Sequence, residues 1–337
     1  MSDKIKKKKR IKASIRRVSK QSLLVVLTVC LTVLGSMYIA AYIVLKGPSS
    51  TFSSLVTSTL METRRGKAVA RLFFSSEEIE QIVSGNTVNT TDKITNDTSE
   101  NYVIPEDEKD DIEVIDVSGP TYQGKLMIVR DPSRISLGVN TLLGTDSASG
   151  FLVEDYVKAE GAVAGINAGG FDDPNGQGDG SIPYGVVIKD GTLVAGELDD
   201  YVSLIGFTSN DHLIVGNMTA EEALSYDITD AVTFGPVFIV NGSAVTVTGT
   251  GGGLNPRTVI GQKEDGSVLL LVIDGRQTNS LGASYEDCIN LMLKYGAVNA
   301  ANLDGGSSSV MVYNGSIINS VVSLYGERTV PTAWIVK

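Results

Sequence analysis

The sequence predicts an α+β domain with a mixed or antiparallel β-sheet core and few helices, preceded by one transmembrane helix and a stalk. Three observations predict it. A run of 24 residues, Ser22 to Leu45, carries no charge. A polar, acidic stretch separates that run from the rest. From Ile112 onward, short β-rich segments alternate with Gly, Asn, Asp and Pro, and convincing helical patterns are few.

The first 21 residues read as a basic cytoplasmic tail. Ten of the 28 Lys and Arg but one of the 39 Asp and Glu lie within residues 1–20, so 18 bases face 38 acids beyond, a net of -20. Residues 22–45, as a helix, span roughly 36 Å, more than the roughly 30 Å hydrocarbon core of a bilayer. The basic residues before it place the N-terminus in the cytoplasm and the C-terminal domain outside, in a single-pass cell-membrane protein. A signal peptide has a shorter apolar region and a small-residue cleavage site, whereas Lys46-Gly47-Pro48 follows here. The acidic remainder repels phosphate backbones, so nucleic acid is not an expected partner.

Residues 46–111 read as an extracytoplasmic stalk with a short helical segment at Leu60–Val83, Ser75 being its candidate N-cap ahead of Glu77 and Glu78. The polar run from 84 to 111 has the composition of a solvated linker. A chain beginning near Asp111 is therefore expected to fold by itself.

Residues 112–337 form the predicted domain. Lys189-Asp190-Gly191, Val240-Asn241-Gly242 and Tyr313-Asn314-Gly315 are hairpin signals. Phe151–Gly161 and Ser284–Tyr295 carry the helical patterns, the latter with Cys288, Leu291, Met292 and Tyr295 on one face. Cys30 lies in the apolar run and Cys288 far downstream, so the domain holds together by its core without a disulfide, which suits a Gram-positive surface protein. The neighbouring acids make Cys288 a small buried hydrophobe, not a nucleophile.

One histidine, His212, excludes HExxH zinc sites and leaves acid–base chemistry to carboxylates; its own place is expected on the surface or in a turn. Four segments concentrate chemistry-bearing residues: Asn167-Ala-Gly169-Gly170-Phe171-Asp172-Asp173, Asn255-Pro-Arg257-Thr258, Asp274-Gly275-Arg276-Gln277 and Asn302-Leu-Asp304-Gly305-Gly306-Ser307-Ser308-Ser309. In the last two an apolar strand ends in Asp-Gly, which presents a carboxylate where the backbone can approach a ligand closely. Gly305, Gly306 and the serines offer N–H and O–H donors to phosphate or sugar oxygens. Tight β-turns alone would explain each segment singly. Between Asp172 and Gly180, the oxygen ligands Asp173, Asn175, Gln177 and Asp179 are spaced like those of a calcium loop, without the distant glutamate of an EF-hand. A glycine-rich loop beside the site is the alternative to a divalent cation there.

Taken in order, these motifs and Gly326-Glu327-Arg328-Thr329-Val330-Pro331 resemble the phosphodiester glycosidase family over roughly residues 112–337. That family includes the lysosomal enzyme that uncovers phosphodiester-linked mannose by removing N-acetylglucosamine. Its bacterial members are often labelled exopolysaccharide biosynthesis proteins. The chain departs from the pattern at Gly305-Gly306-Ser307, where three glycines are common, and at Phe171-Asp172, where a second aromatic is common. The resemblance implies hydrolysis of a sugar-1-phosphodiester in cell-envelope or exported glycans. It implies catalytic carboxylates among Asp304, Asp274 and, on the following helix, Asp287. Arg257, Arg276 and Arg328 would bind phosphate, with Asn167, Gly169, Gly170, Asp172, Gly305, Gly306, Ser307 and Ser308 around them. The alternative is a non-catalytic glycan-binding or assembly protein. Paired carboxylates favour the enzyme.

Overall fold

The computed structural model describes residues 2–96, 101–140, 142–143, 149–174, 178–323 and 326–337, excepting the side chains of 2–19 and of Arg64. It contains two compact units, Met1–Ser53 and Ser54–Lys337. The first is dominated by α1 (Ser2–Lys46). Its stretch Lys20–Lys46, 27 residues of mean hydropathy 2.4, is long and apolar enough to cross a membrane. Leucines and valines of this stretch are exposed, among them Leu23, Leu27, Leu31 and Leu34.

The second unit opens within α2 (Ser50–Met61), followed by α3 (Arg64–Phe73) and α4 (Ser76–Ser84). Ser75 caps α4 in a reciprocal box with Glu78, so the helical segment read as continuous is broken at Phe74. The sheet region begins with β1 (Ile112–Ser118), β2 (Gln123–Val129), β3 (Ile135–Val139), α5 (Val153–Ala159) and β4 (Ala164–Asn167). Next come β5 (Val187–Lys189), β6 (Thr192–Ala195), β7 (Tyr201–Thr208), β8 (Leu213–Thr219), α6 (Ala220–Ser225) and β9 (Ile228–Thr233). Then follow β10 (Val237–Val240), β11 (Ser243–Ala244), β12 (Arg257–Lys263), β13 (Val268–Ile273) and α7 (Tyr285–Lys294). The chain closes with β14 (Ala297–Leu303), β15 (Met311–Tyr313), β16 (Ser316–Ile317) and β17 (Thr332–Val336).

These strands form three antiparallel sheets, ordered β1-β2-β13-β12-β14-β10-β11, β16-β15-β4-β17-β3 and β6-β5-β9-β7-β8. The three Asx-Gly pairs make the hairpin turns β5–β6, β10–β11 and β15–β16. Both residues of each pair have positive φ, the geometry that matches strand twist. Met127, Leu137, Ile166, Ile205, Ile260 and Trp334, drawn from all three sheets, share one central core. Each sheet also carries a helix on its outer face: α7 through Cys288 and Met292, α5 through Tyr156 and Val157, α6 through Ala220 and Ala223. β12 and β13 are therefore buried on both faces, which explains the unbroken apolar run of β13. Trp334 packs edge-on to Phe207 at 5.4 Å, and truncating such a buried aromatic costs about 3–5 kcal/mol.

The segment read as a stalk differs from expectation, because its residues from Ser54 onward belong to the compact unit. Val88 is buried in the cluster that holds α7, and Ile94 packs on the cluster that holds α6. Thr95, 6% exposed, receives a hydrogen bond from Val215 N and donates to Asn299 Oδ1. In the acidic run, Glu108 pairs with Arg130. Its polarity is thus consumed in pairing with the sheet edge and loops, which composition alone does not reveal. His212 lies in the turn between β7 and β8, one of its two expected places, but it is buried and not on the surface, with the Tyr102 ring tilted against it at 4.4 Å.

Candidate active site

Strand order brings the motifs together. β12 runs antiparallel between β13 and β14, so its first residues lie beside the last residues of both neighbours: Arg257 faces Ile273 and Thr258 faces Leu303. Asn255-Pro256, Asp274-Gly275-Arg276 and Asp304-Gly305-Gly306 therefore emerge at one sheet edge. There they meet a cleft of about 1060 Å³ whose lining includes Arg257, Arg276, Arg328, Asp304, Gly305, Gly306 and Ser307.

Asp304 is the centre of the floor. Asn167, fully buried at the end of β4, donates to Asp304 O at 2.5 Å. Its Oδ1 accepts from Thr258 Oγ1 at 2.9 Å and from Val310 N at 3.2 Å, so one amide ties three segments beneath the carboxylate. Gly305 N donates to Asp304 Oδ1 at 2.9 Å. Among the described residues Asp304 makes no ion pair. Burial raises its pKa to about 6, against the opposing pull of the Ser308 hydroxyl, the Arg328 charge and the Gly305 N–H. The buried Ser308 Oγ lies close enough to Asp304 to favour its charged form. Gly306, at φ 64°, is required by the turn, and a Cβ there would meet Arg276 Nη2 at 3.2 Å.

The three arginines are held differently. Arg257 is 4% exposed, stacked 4.0 Å over Tyr285, and donates to Glu62 Oε1 at 3.0 Å, Gly253 O at 2.8 Å and Ala283 O at 3.2 Å. Burial opposes its charge, but Tyr285 and Glu62 outweigh that and hold its pKa above the ordinary value. Arg328 makes a bidentate pair with Asp173 at 2.8 and 2.9 Å and lies 4.6 Å over Phe171. Arg276 is open to the cleft, with one side-chain bond to Asn255 Oδ1 at 3.2 Å. Burial and the Arg257 charge lower its pKa, Glu62 opposing. Arg276 is thus the arginine most available to an anion.

Of the remaining sequence-derived residues, Asp173 lines the cleft, whereas Asp274, Asp287, Asp172, Gly169 and Gly170 fall outside its lining. Asp274 accepts from Ser320 N at 2.8 Å and Asn319 Nδ2 at 3.1 Å, clamping that loop, and burial raises its pKa. Asp287 caps α7, accepting from Ser284 N and Oγ. Asp172 is exposed, its N–H bonded to Ile182 O. Gly169 and Gly170 lie under the floor, where a Cβ would meet Val232 and Phe234. Of the calcium-like loop, Asp173 gives both oxygens to Arg328 and Asp179 Oδ1 accepts from Ser181 N, while Asn175 and Gln177 lie outside the described residues. No cluster of three or more metal-ligating side chains occurs among the described residues.

Sequence reasoning missed an entire wall of the cleft. Ser58, Met61, Glu62, Thr63, Arg65 and Lys67 come from α2, α3 and the two residues that join them. Leu254 N bonds Thr59 Oγ1 at 2.8 Å, and a Cβ on Gly253 would strike Thr59 N at 2.4 Å, so glycine is what lets α2 approach. Asn86 fastens the segment after α4 by accepting from Thr250 N and Gly252 N. The basic run Arg64-Arg65-Gly66-Lys67 was the available signal.

Comparisons with known proteins bear on the same region. A prophage-derived uncharacterized protein of Bacillus subtilis, YomE, is 30% identical over 180 residues, half of this chain. The bovine and human N-acetylglucosamine-1-phosphodiester alpha-N-acetylglucosaminidases are each 39% identical over 64 residues, 19% of the chain. The aligned stretches span 27% of the Bacillus protein and 12% of each mammalian enzyme. The catalytic domain of the zebrafish N-acetylglucosamine-1-phosphodiester alpha-N-acetylglucosaminidase has the same fold, with a TM-score of 0.54 at 21% identity, covering 67% of this chain and 82% of that one. The phosphodiester glycosidase profile matches residues 160–337, more than half of the chain, and the chain belongs to the phosphodiester glycosidase family.

Proposed function

We propose that this protein is a membrane-anchored, extracytoplasmic glycosidase that hydrolyses a sugar-1-phosphodiester, with an N-acetylglucosamine-like sugar, in cell-envelope or exported glycans. The observation that carries this reading is Asp304: a carboxylate with no ion pair among the described residues, lying in a cleft that Arg276, Arg257 and Arg328 also line. Charge-assisted hydrogen bonds from Arg276 hold the phosphate, with Arg257 and Arg328 reinforcing the field. In the reaction, the oxygen of water bonds to the anomeric carbon while the bond from that carbon to the phosphate oxygen breaks. The electron pair leaves with the phosphate, giving a phosphomonoester and free sugar. Asp304 in its charged form stabilises the oxocarbenium-like centre or takes the water's proton. The phosphate leaves as an anion and needs little protonation, so a second carboxylic acid is dispensable, in keeping with the engagement of Asp274 and Asp287 elsewhere. The basic residues in the first part of α1, ahead of its apolar stretch, motivate a cytoplasmic N-terminus.

Incubation of the full chain with an N-acetylglucosamine-1-phosphodiester is expected to release free sugar. Asp304→Asn, which keeps the shape and removes the charge, is expected to lower kcat about 10²- to 10⁴-fold with little change in KM. Wild-type rates should climb as pH rises through about 6, because the charged form is the active one. Full activity in the Asn variant would overturn the mechanism. Tight glycan binding without sugar release would favour the alternative reading, a glycan-binding or assembly protein.

A further inference from the structure

The second unit is acidic, with 38 Asp and Glu against 17 Lys and Arg from residue 54 onward. Yet five of those cations line one cleft, against three acids, Glu62, Asp173 and Asp304. Glu62 is paired with Arg257 and Asp173 with Arg328. Arg65 and Lys67 are exposed and have no ion pair among the described residues. They stand in the first turn of α3, which has four cations, no acid in its first turn and none along its length. The positive end of a helix dipole disfavours cations, so this placement works against the helix and is relieved by an anion from outside. A separate observation points to a ligand in the same cleft: Asn302, 1% exposed, lines it, and its Oδ1, an acceptor, has no hydrogen-bond partner among the described residues.

We propose that Arg65 and Lys67 form a second anion subsite, which takes the neighbouring phosphate of a substrate carrying phosphodiesters in series. This rests on the glycosidase reading and narrows its substrate to a polyanionic repeat chain. The cleft, about 1060 Å³, exceeds the upper end of the roughly 300–1,000 Å³ that suits a drug-sized ligand, and so has room beyond one sugar phosphate. The surrounding acidity repels such a chain, but screening confines that repulsion to about 8 Å at physiological salt, within which the local cations prevail. Arg276 holds the phosphate being cleaved, and α3 holds the next.

The test compares the full chain with Arg65→Gln/Lys67→Gln on two substrates, a sugar-1-phosphodiester with one phosphate and an oligomer with three phosphodiester repeats. Both side chains are exposed and their charges oppose the helix dipole, so the melting temperature should not fall. The double variant is expected to lose about tenfold in kcat/KM on the oligomer, stay within about twofold on the single phosphodiester, and lose the wild type's steeper salt dependence on the oligomer. Equal losses on both substrates, or none on the oligomer, would overturn the subsite. Should the wild type cleave neither substrate, the glycosidase reading fails separately, and binding of inorganic tripolyphosphate against orthophosphate decides the subsite. Tighter tripolyphosphate binding that disappears in the variant supports it; equal binding by both proteins rejects it.

Discussion

The floor and the wall of the cleft are made by different means. The floor, around Asp304, is buried and cross-tied: Asn167 alone joins β4, β12 and the turn after β14. The wall, from α2 and α3, is exposed and charged, and it is attached at a few points such as Thr59, Glu62 and Asn86. A floor of this kind fixes the geometry that chemistry needs, whereas a wall of this kind sets charge and access at little desolvation cost.

The comparison breaks most visibly if the wall is removed. A chain beginning at residue 112 uncovers the places of Val88 and Ile94 and frees the buried Arg257 from Glu62. Each fully buried apolar side chain is worth about 1.5–3 kcal/mol, so the loss should approach the whole stability of a domain. Calorimetry should show a melting temperature lowered by ten degrees or more relative to a chain beginning at residue 54, or aggregation. Equal melting would make the wall an appendage.

A smaller effect is expected from Asn167→Ala in the floor. It strips partners from Thr258 Oγ1, Val310 N and Asp304 O inside the core. Leaving buried polar groups unpaired costs about 1–3 kcal/mol each, and denaturant unfolding should report a loss of about 2–4 kcal/mol. A loss under about 0.5 kcal/mol would mean the floor is held by packing alone.

The smallest effect has the opposite sign. Asp304 has a folded-state pKa of about 6, above the ordinary carboxylate value, so the folded state prefers the protonated form. That contribution is full below about pH 4 and is lost as pH rises through 6. Asp304→Asn should therefore match the wild type at pH 4 and exceed it by about 1–3 kcal/mol at pH 7, measured by unfolding at both values. A variant no more stable at pH 7 would place Asp304 in well-solvated surroundings.

The floor was legible in the sequence because its chemistry sits at strand ends with sharp local signatures. The Asp-Gly steps, Asn-Gly hairpins and the Ser284 cap each report local backbone needs. Which carboxylate enters the cleft was not legible, since Asp274 and Asp304 share the same strand-end pattern and differ in what tertiary packing places opposite them. The wall was illegible for another reason. Residues 84–111 are polar, and their hydrogen bonds to the loop at 244–252 and to Val215 are long-range pairings that composition cannot encode. Arg257 looked like a free phosphate ligand because its partner Glu62 lies 195 residues away in sequence.

β12 places its first residue at the cleft and its last, six residues on, about 20 Å away at 3.3 Å per residue. The turns at that far end, Glu264–Gly266 and Tyr295–Gly296, close β12 onto β13 and lead α7 into β14. Labels, fluorophores or short insertions placed there sit a full strand length from Asp304. They offer a handle for immobilising or imaging the protein while its chemistry is left undisturbed.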